Sequence, residues 1–154
     1  MIYAGKRRTP GHSCFSKISA SVYGIDAHPV EVEVDVGSAR MQDFNVVGLP
    51  DNAVKESRER IKSATRNCGY EFPHGQGVTI NLAPADLRKE GSAFDLPMAL
   101  GLVGCQGQFF GKLLDRMMFL GELSLDGTVR AVRSPQRSRL RLTSNFSVRL
   151  SRSA

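Results

Sequence analysis

Residues 77–104, reading GVTINLAPADLRKEGSAFDLPMALGLVG, constrain the fold more than any other stretch, because three successive local signals dictate a strand, a polar loop and a buried helix. Val78, Ile80 and Leu82 alternate with Thr79, Asn81 and Ala83, the period of a strand with one buried face. Pro84 stops the strand, and the connection from Ala85 to Gly91 carries Asp86, Arg88, Lys89 and Glu90. Ser92 or Asp95 then stands where a helix is capped, with Pro97 in the first turn. Leu96, Met98, Ala99, Leu100, Leu102 and Val103 cover more than one face, so the helix is expected to be buried between a sheet and other structure. A loop from a core strand to a helix start gathers unpaired N–H groups and positive dipole, which favour anions and can position a nucleophile. Asp86, Arg88, Lys89, Glu90, Ser92 and Asp95 therefore form a candidate ligand or partner surface. Within it, Asp95 is expected to be structural, capping the first-turn N–H groups of the 96–105 helix, while Lys89 and Glu90 face outward to a partner.

The remaining segments alternate in the same legible way. ISASVY (18–23) is followed, after a bend, by Val30, Val32, Val34 and Val36 interleaved with Glu31, Glu33 and Asp35, which predicts a hairpin with one valine face and one solvated face. Carboxylates at spacing two invite a metal or acid–base reading, but no histidine or third ligand stands at useful spacing, so they read as a solvated strand face. Phe44, Val46 and Val47 begin a third strand that ends at Gly48-Leu49-Pro50. Asp51 is placed to cap a helix running to about Cys68, with Val54, Ser57, Ile61, Ala64 and Cys68 on its inner face and Gly69 as its left-handed stop.

On the outer face of that helix, Lys55, Arg58, Lys62 and Arg66 are candidate nucleic-acid contacts. Glu56 and Glu59 are interleaved with them, which favours a solvated surface laced by Lys55–Glu59 and Glu56–Arg60 pairs. His74, in the turn YEFPHGQ, reads as an exposed loop residue without a partner. A strand over 118–125, an Asp126-Gly127 turn of type I′ character and a return over 128–132 complete the order β-β-β-α-β-α-β-β. The fold class is α+β, with helices on one face of a mixed sheet.

Composition narrows the alternatives. With 154 residues, 41% hydrophobic and 23% charged, the chain suffices for one domain with its own core. No apolar run is long enough to span a membrane, the N-terminal MIYAGKRRTPGHSCF has no apolar stretch after its basic residues, and the expected compartment is cytoplasmic. Three separated cysteines, Cys14, Cys68 and Cys105, read as reduced thiols, with no metal site. The net charge of +6 comes entirely from residues 133–154, which hold six arginines and no acid. The organisation is thus a flexible extension over 1–15, a neutral domain over 16–132, and a basic Arg/Ser-rich tail over 133–154, expected to be disordered or frameshifted.

Three strings in order, FNVVGLPDNAVKESRERIKSA, NLAPADLRKEGSAFDLPMALG and FLGELSLDGTVRAV, resemble the N-terminal domain of the magnesium-chelatase-like AAA+ proteins, the ComM or YifB family. The resemblance covers about Ser16 to Val132. It implies a fold similar to the second domain of small-subunit ribosomal protein five, shared with the proteolytic domain of Lon proteases. It also implies a hexameric ATPase, whose intact ComM-type members couple ATP hydrolysis to DNA branch migration in natural transformation, while chelatase relatives insert magnesium into porphyrin. Other subunits of the ring and DNA are the partners implied, and ATP and magnesium are implied only for a missing AAA+ domain. The tail departs from the family, and a truncated or frameshifted gene is the expectation.

Two catalytic readings fail on the residues. Laying the Lon serine–lysine dyad on this chain puts Ala93 at the nucleophile and Gln136 near the lysine, and neither side chain can do that chemistry; Ser92 is one place off. The phosphate loop G-x-x-x-x-G-K-[ST] does not occur in the sequence. The chain is expected to be non-catalytic, without a cofactor of its own. The alternatives are a stand-alone anion- or nucleic-acid-binding module and, more remotely, a serine hydrolase remnant.

Overall fold

The computed structural model describes residues 12–23, 26–38, 43–108 and 117–132. Strands β1 (His12–Tyr23), β2 (Asp26–Ser38), β3 (Phe44–Val47) and β4 (Gln76–Ala83) form one mixed sheet in the order β1-β2-β4-β3. β1 and β4 run antiparallel to β2, and β3 runs parallel to β4. A parallel neighbour requires a crossover, and helix α1 (Asn52–Asn67) supplies it between β3 and β4. A single 3₁₀ turn over Ser92–Phe94 leads into α2 (Asp95–Cys105), and a short hairpin of β5 (Glu122–Leu123) and β6 (Val129–Arg130) follows. The element order and the mixed α+β class agree with the pattern of the sequence.

Register explains the core. Val32 faces Leu82, Val34 faces Ile80 and Val36 faces Val78, so the valine stripe of β2 and the apolar stripe of β4 share one side of the sheet. Val54, Ile61 and Ala64 of α1 and Met98, Ala99 and Leu102 of α2 are buried in the same cluster, which places both helices on that side. Burying one such side chain stabilises the fold by about 1.5–3 kcal/mol. The glycines of α2 let it lie close to the sheet: a Cβ on Gly101 would stand 2.4 Å from a Val34 methyl, and one on Gly104 would stand 2.7 Å from the Phe15 ring.

Four local readings need correction. His12–Phe15, assigned to the extension, belong to β1 and pair with residues 34–37 of β2; residues 1–11 and the tail over 133–154 lie outside the described residues. The alternation of ISASVY does not sort by polarity: Ile18 is 39% exposed, whereas Ala20 and the polar Lys17, Ser19 and Ser21 are buried. Pairing of Lys17 with Val32 and of Ser19 with Val30 puts those polar side chains on the valine side, while Phe119 N–H donates to the Ile18 carbonyl at 2.9 Å along the outer edge. The 118–125 strand shrinks to β5, with an isolated parallel bridge from Met118 to Ile18. The hairpin turn is not type I′, because only Gly127 has positive φ (+85°). Gly127 N–H donates to the Ser124 carbonyl and Ser124 N–H to that of Thr128, each at 2.9 Å, the pattern of a type I turn followed by a glycine bulge.

Candidate functional site

The loop after β4 is held by its backbone. Lys89 N–H donates to the Leu49 carbonyl at 3.2 Å, and the Lys89 carbonyl accepts from Asp51 N–H at 3.0 Å. The receiving segment is shaped by two residues of positive φ, Gly48 (+97°) and Leu49 (+54°). At Gly48 a Cβ would stand 2.1 Å from the Leu82 carbonyl oxygen, so a side chain there is excluded. Asp51 caps α1 as expected, accepting from Val54 N–H at 2.8 Å, and its second oxygen accepts from Gly91 N–H at 2.9 Å. One aspartate thus fixes the start of the helix and the end of the loop.

This clamp overturns the outward placement of Lys89. The side chain is fully buried, and its ammonium donates to the Pro84 carbonyl. Burial pushes its pKa below the ordinary lysine value, with the Asp86 charge acting in the opposite direction. Paired on both backbone sides, Lys89 has its Cβ directed into the fold, a constraint invisible in a charged loop sequence. Asp86, Arg88 and Glu90 are exposed, and Arg88 pairs with Glu90 at 3.0 Å on the surface, an arrangement worth at most about 1 kcal/mol.

Asp95 is structural, but it is no cap. It lies within α2, which begins without any side-chain cap, and its buried carboxylate reaches across to α1 and β5. One oxygen accepts from Ser57 Oγ and from Arg60 Nη2 at 3.1 Å, and the other accepts from Arg60 Nε at 2.6 Å and Leu123 N–H at 3.2 Å. The hydrogen bond to Asp95 is the main cause holding the Arg60 guanidinium above its ordinary pKa. Arg60 therefore turns inward instead of serving the expected solvated pair with Glu56. Ser92 is no cap either: its hydroxyl donates to Glu122 Oε2, and that bond is the first cause depressing the Glu122 pKa.

Candidate residues that do converge on open space lie on the outer face of α1. Arg58, Lys62 and Arg66 line a small open groove of about 180 Å³ together with Asp43, Phe44, Phe72, Pro73, His74, Gln76 and Val78. Four-residue spacing puts the three cations on one face of α1, about 6 Å apart per step. The opposite wall is built by the start of β3 and the 72–76 turn, which the parallel β3–β4 pairing brings alongside the helix. Phe44 and Phe72 stack with ring centroids 6.4 Å apart and planes 19° apart, and the Arg58 guanidinium lies 5.9 Å from the centre of the Phe44 ring. Arg66 Nη2 and His74 Nε2 are 3.4 Å apart at the rim, so His74 has the partner that its sequence neighbours did not reveal. Lys55 is exposed one turn before Arg58 and does not line the groove. The aromatic pair and His74 escaped the sequence reading because a strand end and a turn meet a helix only in three dimensions.

The structure is thus an α+β domain with a basic, aromatic-walled groove, and among the described residues no group of three His, Cys, Asp or Glu could hold a metal ion. Residues 30–144 match the family described as subunit ChlI of Mg-chelatase, and the chain belongs to that family. Within it, the chain is 46% identical over 109 residues to YifB of Escherichia coli and 40% identical over 114 residues to the competence protein ComM of Haemophilus influenzae. A Mycobacterium tuberculosis protein is 42% identical over 115 residues. These alignments cover 71–75% of this chain but only 21–22% of the relatives, so the chain spans about a fifth of their length. No helix among the described residues is long and apolar enough to cross a membrane.

Proposed function

We propose that this chain is a non-catalytic domain of a Mg-chelatase-like ATPase of the ComM/YifB kind, and that its groove holds a polyanion, DNA, while a motor domain acts on it. The observation that carries the reading is the alignment of Arg58, Lys62 and Arg66 along one groove wall, in a chain whose sequence contains no phosphate loop for ATP. Similarity to a protein named for competence makes DNA the polyanion to test first, with ATP-driven branch migration as the activity to which the domain would contribute. A fold like that of the second domain of small-subunit ribosomal protein five, and a place in a ring of subunits, belong to the same proposal.

The test is fluorescence anisotropy of the full chain with labelled DNA across about 50–200 mM salt. Three phosphate contacts predict a slope of about −2 to −3 in log K against log salt. Arg58→Ala, Lys62→Ala and Arg66→Ala should each weaken binding and flatten the slope by about 1. Binding that is absent at low salt, or that is unchanged when all three are replaced, overturns the proposal.

A further inference from the structure

The four-stranded sheet has two faces, and both helices pack on one of them. Val32, Val34 and Val36 of β2 point toward the helices, so the strand period sends Glu31, Glu33 and Asp35 to the opposite face. There they form a half-buried stripe. Register places Ile18 of β1, 39% exposed, on one side of it and Val47 of β3, 46% exposed, on the other. Ser16 Oγ donates to Glu31 at 2.5 Å and Asn81 Nδ2 donates to Glu33 at 2.9 Å, so neutral donors align two of the carboxylates. Lys17 is the sole lysine or arginine in β1–β4, and its pairing with Val32 puts it on the helix side. An acidic sheet face bordered by apolar side chains fits a basic segment whose cations meet the stripe and whose aliphatic stems lie over Ile18 and Val47.

The chain carries such a segment. The 22 residues after Val132 hold six arginines and no acid, a composition that buries too little apolar surface to fold without a partner surface. Arg137, Arg139 and Arg141 stand two positions apart, as do Glu31, Glu33 and Asp35. In extended chains both sets repeat every ~6.5–7 Å, so one alignment forms three ion pairs at once. Extended, those residues reach about 70 Å from Val132, against a radius of gyration of roughly 13 Å for a domain of about 100 residues. Tethering also holds the segment at an effective concentration on the order of millimolar, so individually weak surface pairs suffice.

We propose that the helix-free face of the sheet is the docking surface for the chain's own residues 137–141, with Arg137, Arg139 and Arg141 laid over Glu31, Glu33 and Asp35. This stands apart from the polyanion reading, since it uses the opposite side of the domain from α1.

Trypsin cleaves after arginine, so docking is read as protection of the full chain. The reference is an isotope-labelled free peptide of residues 133–154 in the same tube, which cancels any effect of salt on the protease. At about 50 mM salt, initial cleavage after Arg137, Arg139 and Arg141 should be at least about threefold slower in the chain than in the peptide, as for a segment docked two-thirds of the time. Raising salt to about 500 mM should bring the two rates together, because the pairs lie at the surface. The triple substitution Glu31→Gln, Glu33→Gln and Asp35→Asn should do the same at low salt, with circular dichroism confirming the fold. Equal rates in the unmodified chain at low salt overturn the proposal. Protection that survives either high salt or the triple substitution also overturns it, and the salt arm answers without any variant. Protection that grows with protein concentration would assign the face to a neighbouring copy's segment and overturn docking within one chain.

Discussion

On the outer face of α1, Arg58 and Lys62 are partly exposed and Arg66 is exposed, whereas in the 84–95 segment Lys89 and Asp95 are withdrawn from water altogether. Both regions carry charges at short spacing, and both were candidates for contact with a partner. The difference lies in what fixes the backbone beneath them. A helix sets side-chain direction by its own period, so charges off the apolar stripe of α1 must face outward. The 84–95 loop has no period, and its direction is imposed by Leu49 and Asp51 from another part of the chain. Charge well off a helix's apolar stripe reports its exposure, while Arg60 beside that stripe turns in to Asp95; charge in a clamped loop reports nothing until the clamp is known.

The sharpest way to break this comparison is Asp95→Ala. Removing the carboxylate leaves Arg60 without its bidentate partner, and breaking a buried pair costs about 3–5 kcal/mol. Urea unfolding measures it, and a loss near 1 kcal/mol, the scale of an ordinary N-cap, would return Asp95 to a merely local role. Lys89→Ala comes next, at about 2 kcal/mol from the packing of its buried stem, while Lys89→Met, which retains that stem, should stay near the parent. Equal behaviour of the two variants would mean that packing does not hold the loop inward.

Titration sharpens the same contrast. Burial lowers the Lys89 pKa in the folded state, so between that value and the unfolded value of about 10.4 the unfolded chain binds more protons. Stability therefore rises as the pH climbs through this interval, and Lys89→Met should lack that rise. Parallel stability curves for the two proteins in alkali would show that Lys89 is hydrated after all. The smallest effects belong to α1: Arg58→Ala, Lys62→Ala and Arg66→Ala should each stay within about 0.5 kcal/mol of the parent in unfolding. A larger loss in any of them would mean that the groove wall is part of the structural framework.

Much of the fold was legible because its signals are short. The valine alternation of β2, the apolar stripe of β4, the Asp51 cap and the Gly69 stop each involve residues within four positions of one another, and each stands as read. The candidate site was legible by half. Arg58, Lys62 and Arg66 followed from helical spacing, but the wall they face, Phe44, Phe72 and His74, comes from a strand end and a turn on either side of the helix. The inner face of β1 misled for a related reason: Lys17 and Ser19 are buried because β2 pairs with them in one register, and pairing register is not a property of either strand alone.

The sequence by itself determined the order of the elements and the faces buried by β2, β4 and α1, since backbone sterics and side-chain period act within a turn or two. Only the tertiary structure decided which charges are spent inside the protein and which remain at its surface. Asp95 meets Ser57 across 38 residues of chain and Lys89 is trapped by a segment some forty residues earlier. Such partners are chosen by how the layers pack, because a buried charge is tolerated only where another element happens to bring its complement.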